Sequence, residues 1–194
     1  MTLALAFLLL LLTVPAAGGR LSALEQVRLR WVWLVAVAFA IQVVIVTLAP
    51  EGDPTLHRVV HVLTYGLAGA CVVRNLDLRF VWVLALGGLL NVIAIVSNGG
   101  VMPASRGALK VAGLDVHSGS FTNSDFVENA HAWFLGDVFA IPAGWPGANV
   151  FSVGDALMLL GALLVLHAAT GSRLFAAGRT ARPRAQGSPA ARRP

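Results

Sequence analysis

Charge is what this chain has least of. Asp, Glu, Lys and Arg make up 12% of its 194 residues, where a soluble domain carries about 25%. Hydrophobic residues reach 57%, above the ~45–50% of soluble domains. A water-soluble globule of this size has too little interior to hide so much apolar surface. An ordinary soluble enzyme is therefore excluded, and the expected class is an all-α integral membrane helical bundle. Cysteine is scarce too. The single Cys71 excludes an internal disulfide framework, and its apolar surroundings mark it as a small buried hydrophobe. No nucleophile elbow, paired-cysteine motif or haem motif occurs. No Lys-Ser or Lys-Thr follows Asn98-Gly99-Gly100, so that turn is no phosphate loop. Basic residues without a folded reading module do not make a nucleic-acid binder. Neither a cofactor nor a nucleic-acid partner is expected, and the expected partners are the lipid bilayer and either a second copy or another membrane protein.

What is there falls into apolar runs of membrane-crossing length. About 20 residues at ~1.5 Å each cross a ~30 Å hydrocarbon layer. Five spans are expected, at about residues 1–17, 31–50, 57–73, 80–97 and 153–170. The first has no basic residue before it, and positive charge follows it at Arg20, Arg28 and Arg30. That favours a retained span with its N-terminus outside. Pro15-Ala16-Ala17-Gly18 also offers the small residues of a cleavage site, so a cleaved signal is the competing reading. Trp31 and Trp33 open the second span as interfacial aromatics do, and Gln42 is its strongly polar residue. In the fourth, Asn91 needs a hydrogen-bond partner on a neighbouring helix or a water.

Residues 98–152 form the long connection, holding Arg106, Lys110, Asp115, His117, Asp125, Glu128, His131 and Asp137. A loop of that length implies function. Asp125 with Glu128 three residues on resembles a helix start, and Val127, Ala130, Phe134, Leu135 and Val138 follow at helical spacing. A short surface helix ending at Pro142 is expected there. Ser152-Val153-Gly154-Asp155 predicts a capping box that starts the last span. From residue 171 the chain is small, polar and basic, and is expected to be a disordered tail.

Eleven of the 14 basic residues fall on one side of such a five-span chain: Arg20, Arg28, Arg30, Arg74, Arg79 and six in the tail. Arg58, Arg106 and Lys110 fall on the other. Positive residues mark the cytoplasmic side. Loop 98–152 is thus expected outside and the C-terminus in the cytoplasm.

Gly18-Gly19-Arg20-Leu21, Asn98-Gly99-Gly100-Val101-Met102-Pro103, Leu135-Gly136-Asp137 and Phe151-Ser152-Val153-Gly154-Asp155 occur together. In this combination the chain resembles domain of unknown function 5317, a family of uncharacterised bacterial membrane proteins, over about residues 3–170. The resemblance implies a multi-pass protein of a bacterial plasma membrane and no particular activity. A second, local resemblance, over about residues 133–170, is to lipoprotein signal peptidase. That membrane aspartic protease opens its last helix with an aromatic residue and a catalytic Asp. Ser152 and Gly154 stand where the protease has Asn and Ala. The likeness implies Asp137 and Asp155 as a catalytic pair; Asn98, Asn91 and Ser152 are candidate supporting polar groups. Two adjoining carboxyls share one proton, so one activates water while the other protonates the leaving group. The contrary reading has Asp155 as a helix cap and Asp137 facing solvent. Two weaker metal candidates are His57 with His61, on one helix face, and Asp125 with Glu128 and His131. No metal is assigned to either. The broader reading is a structural, partner-binding or small-solute membrane protein, with the aspartic hydrolase as the alternative. Convergence of Gln42, His61 and Asn91 would favour a solute path.

Overall fold

The computed structural model describes residues 2–48, 53–114 and 124–178. The structure is predominantly helical, and the helices occupy the apolar runs. They are α1 (Thr2–Ala16), α2 (Val32–Val43), α3 (Pro54–Arg74), α4 (Val81–Ser97), α5 (Arg106–Ala112) and α6 (Val153–Ala169). α2 continues as a π-helical turn, Val44–Leu48. Among the described residues one helix, α3, is long and apolar enough to cross a membrane by length and composition, while α2, α4 and α6 are shorter apolar helices. Glu51, Asp115 and His117 lie outside the described residues.

The most extensive helix contacts run in the order α2–α3–α4–α6–α1. Glycine sets the closest of them. A Cβ on Gly87 would stand 2.7 Å from the Met158 nitrogen, and one on Gly161 would stand 2.6 Å from the Leu84 nitrogen. A Cβ on Gly154 would meet the Asn91 side chain. Only bare backbone lets α4 and α6 approach so near, as small residues do in membrane helix pairs. At the far end of α6, His167 Nδ1 lies 2.9 Å from Ser172 Oγ, and its Nε2 lies 2.9 Å from Thr13 Oγ1. Arg20 N–H donates to the Thr170 carbonyl, and Arg173 N–H to the Ala17 carbonyl. These bonds tie α1 to α6.

Residues 171–178 open the segment expected as a tail. Ser172 is fully buried against His167, and Arg173–Gly178 forms a 3-10 turn. Residues 179–194 of the expected tail lie outside the described residues.

The connection between α4 and α6 folds into a small cap. β1 (Met102–Pro103) runs parallel to β2 (Ser124–Asp125), and β3 (Phe139–Ile141) pairs antiparallel with β4 (Asn149–Phe151). Ser105 caps α5 by accepting from the Ala108 N–H, and Gly113 closes the helix at φ +69°. Ala104, Ala108, Leu109, Ala112 and Val150 form the cap's own apolar core. The helix expected between Asp125 and Pro142 is not formed. Asn129 and Ala132 have φ of 55° and 49°, which no right-handed helix accommodates. Trp133–Leu135 makes a single 3-10 turn instead, and the cap's short helix is α5, earlier in the loop.

Candidate functional site

The capping box forms at the start of α6. Ser152 Oγ accepts from the Asp155 N–H at 2.9 Å, and Asp155 Oδ2 accepts from the Ser152 N–H at 3.0 Å. Asn91 joins it from α4, its Nδ2 donating to Asp155 Oδ1 at 2.7 Å while its Oδ1 accepts from Ser152 Oγ at 2.8 Å. The partner that Asn91 needed is therefore the N-terminal turn of α6. Both carboxylate oxygens of Asp155 are held, so its orientation is fixed from two helices.

Asp137 arrives from the cap. Its N–H donates to the Pro103 carbonyl at 2.8 Å, and its carbonyl accepts from the Ser105 N–H at 3.0 Å. Gly136 makes this possible, because a Cβ there would strike the Pro103 carbonyl. The Asp137 side chain is 3% exposed, so it does not face solvent. Ser124 hydrogen-bonds to the carboxyl, whereas Oδ1 is buried with no hydrogen-bond partner among the described residues. Its pKa is pushed up to about 6. Burial is the main cause, the Ser124 bond opposes it, and the negative charge of Asp155 adds to it. Asp137 and Asp155 thus interact through charge.

Asn98 serves a different purpose. Its side chain donates to the carbonyls of Ala94 and His131, and its Oδ1 accepts from the His131 N–H at 2.9 Å. It clamps the cap onto the end of α4. Tyr65 is the residue that sequence reasoning passed over. It packs with Val62 and Leu135 against Ala94, Ile95 and Met102, and its phenol lies in the electrostatic field of both Asp137 and Asp155. Its one visible signal is being the only tyrosine in the chain.

The solute-path residues separate. Gln42 Nε2 lies 2.8 Å from His61 Nδ1 and also reaches Thr64 Oγ1, whereas Asn91 belongs to the Asp155 network. His57 and His61 are both buried on α3. Asp125 accepts from the Phe126 N–H, while Glu128 and His131 are exposed. Among the described residues, no group of three or more His, Cys, Asp or Glu side chains could hold a metal ion.

A family model described as "Family of unknown function (DUF5317)" matches residues 26–167. An uncharacterized protein of Thermotoga maritima is 31% identical over 97 residues, which cover 46% of this chain and 56% of that protein. The match thus spans little more than half of that curated relative's length. No solved structure matches.

Proposed function

The chain belongs to that family of unknown function, and on this premise we propose a multi-pass protein of a bacterial plasma membrane with five spans. In this reading α1, α2 with its π turn, α3, α4 and α6 cross the bilayer. The N-terminus and the cap of residues 98–152 lie outside, and the C-terminus lies in the cytoplasm. One observation carries the reading: polarity is inverted. Phe39 is 63% exposed, Leu63 61%, Leu89 54% and Leu160 45%, while His61, Asn91 and His167 are each 1% exposed and Ser152 is 0%. Polar groups turned inward and large apolar ones turned outward suit a hydrocarbon solvent. At 17 residues, α4 and α6 reach the short end of the spanning range.

The intact chain is expected to stay in the membrane pellet through alkaline washing and to dissolve only with detergent. In a Cys71→Ala background, a cysteine at the exposed Trp145 position should react with an impermeant maleimide added outside whole cells. One at the Glu25 position should react only after the cells are opened. Recovery of folded monomer without detergent would overturn the membrane reading, and the reverse labelling pattern would overturn the orientation.

A second reading, an aspartic hydrolase at the outer end of the bundle, is favoured by the buried Asp137 carboxyl, whose Oδ1 has no hydrogen-bond partner among the described residues. Asp137, raised toward neutrality, would supply the proton to the leaving group. Asp155, oriented by Asn91 and Ser152, would take a proton from the attacking water. Cleavage of membrane-anchored peptides by the detergent-solubilised protein would then be fastest near pH 5–6. It should fall by about 10²-fold or more in Asp137→Asn and in Asp155→Asn. Unchanged cleavage in either variant would remove that residue from the chemistry.

A further inference from the structure

At the capped end of the bundle a groove of about 400 Å³ lies between the start of α3 and the end of α4. Val59, Val62, Leu63 and Val96 supply its apolar wall, and Arg58 with Gly100 its rim. Gly100 fixes the rim. It turns the chain at φ +91°, and a Cβ there would stand 2.9 Å from Arg58 Cβ. The loop backbone therefore packs directly on the Arg58 backbone and Cβ, and Arg58 lines the groove. Arg58 is exposed and takes part in no ion pair among the described residues. The acid nearest to it in sequence within the described residues, Asp53, is turned to the helix cap, its Oδ1 accepting from the Leu56 N–H at 2.6 Å.

We infer that this groove holds a bilayer phospholipid with an anionic headgroup, one acyl chain along the valine–leucine wall and the phosphate at Arg58. The inference rests on the multi-pass reading, in which the exposed Leu63 and Val96 face hydrocarbon. Charge complementarity selects the occupant. An arginine at a helix end reaches headgroup level and attracts anionic lipid. The apolar wall beneath it accepts a chain, which a free anion does not have. Val62 also belongs to the cluster with Tyr65, Met102 and Leu135, so the lipid would lie against the packing that supports the aspartates.

The test uses the full chain in detergent, exchanged with equal amounts of phosphatidylglycerol and phosphatidylcholine and read by native mass spectrometry. Wild type should retain phosphatidylglycerol preferentially. Arg58→Gln should reduce that preference by about fivefold, the effect of one basic residue at an anionic lipid surface. Lys110→Gln removes an exposed positive charge elsewhere on the cap and should leave the preference unchanged. A phosphatidylglycerol with a photoreactive acyl chain should cross-link to residues 59–63 and to Val96, and Val96→Trp should reduce this yield. Equal retention of the two lipids, an unchanged preference in Arg58→Gln, or cross-links spread over all helices would overturn the site. Displacement by millimolar inorganic phosphate would show an anion site without a chain and overturn the lipid assignment. Failure of the membrane reading is separable, since the chain would then dissolve without detergent.

Discussion

Gly154→Ala is expected to destabilise the fold by about 3 kcal/mol or more, although it adds a single methyl group. The added Cβ would stand against Asn91 Oδ1 and 2.7 Å from the Gly87 carbonyl oxygen. Those atoms are backbone and a hydrogen-bonded amide, not the free end of a flexible side chain. Relief requires α4 and α6 to part or Asn91 to leave its place. Parting opens the most extensive helix contact among the described residues, and overpacking of this kind costs about 1–3 kcal/mol by itself. Displacing Asn91 breaks its bonds to Ser152 and Asp155 and strands buried polar groups, each costing about 1–3 kcal/mol. Gly69→Ala is the control. It makes the same chemical change on α3, where a Cβ would meet nothing within 4 Å. A helical glycine relieved of its chain entropy gains about 0.5–1 kcal/mol. Thermal unfolding in one detergent should move the two variants in opposite directions. Equal shifts, or a neutral Gly154→Ala, would mean that the α4–α6 contact is not set by bare backbone.

The helices were legible because charge-free runs between Arg, Glu and Asp leave few alternatives. The capping box was legible because Ser152 and Asp155 stand at a spacing with one familiar use. Asn91 announced a need for a partner but not its address, since nothing local links it to a residue 64 positions away. The surface helix expected between Asp125 and Pro142 fails for a physical reason. Its apolar spacing is real, but left-handed backbone at Asn129 and Ala132 breaks the chain before that spacing can line up on one helical face. Left-handed turns at Asn129 and Ala132 carry no glycine to advertise them. Tyr65 was invisible because a tyrosine inside an apolar run reads as filler until the cap folds over it. The burial of Asp137 was equally hidden. It depends on a loop returning to Pro103, and its one sequence trace is Gly136, whose missing side chain admits that approach.

Asp137→Asn is expected to make the protein more stable at neutral pH while abolishing any chemistry the site performs. The carboxyl is raised from 3.8 to about 6 by burial, against the Ser124 hydrogen bond and with the help of Asp155's charge. A carboxyl whose folded pKa exceeds its unfolded value binds more protons in the folded state between the two values. The Asp137 contribution to stability is therefore most favourable below about pH 4, falls as pH rises toward 6, and stays reduced above that. The loss reaches about 3 kcal/mol, the free-energy equivalent of a shift of some two pH units. An asparagine keeps the shape and removes the ionisation. The melting temperature of wild type relative to Asp137→Asn should fall from pH 4 to 6, since only wild type carries this component of the slope. Above pH 6 the variant should be more stable by about 1–3 kcal/mol, the lower figure allowing for an amide without a full set of partners. The difference between the two curves isolates Asp137 from the other acids. Identical slopes would show that the carboxyl is not buried in the native state, and both the hydrolase reading and its acid would fall. A stability gain with no change in cleavage would leave a buried carboxylate without a chemical reason. A gain accompanied by loss of cleavage would explain why a charge that weakens the fold is kept, because a carboxyl held near neutrality can give up a proton where an ordinary aspartate has none to give.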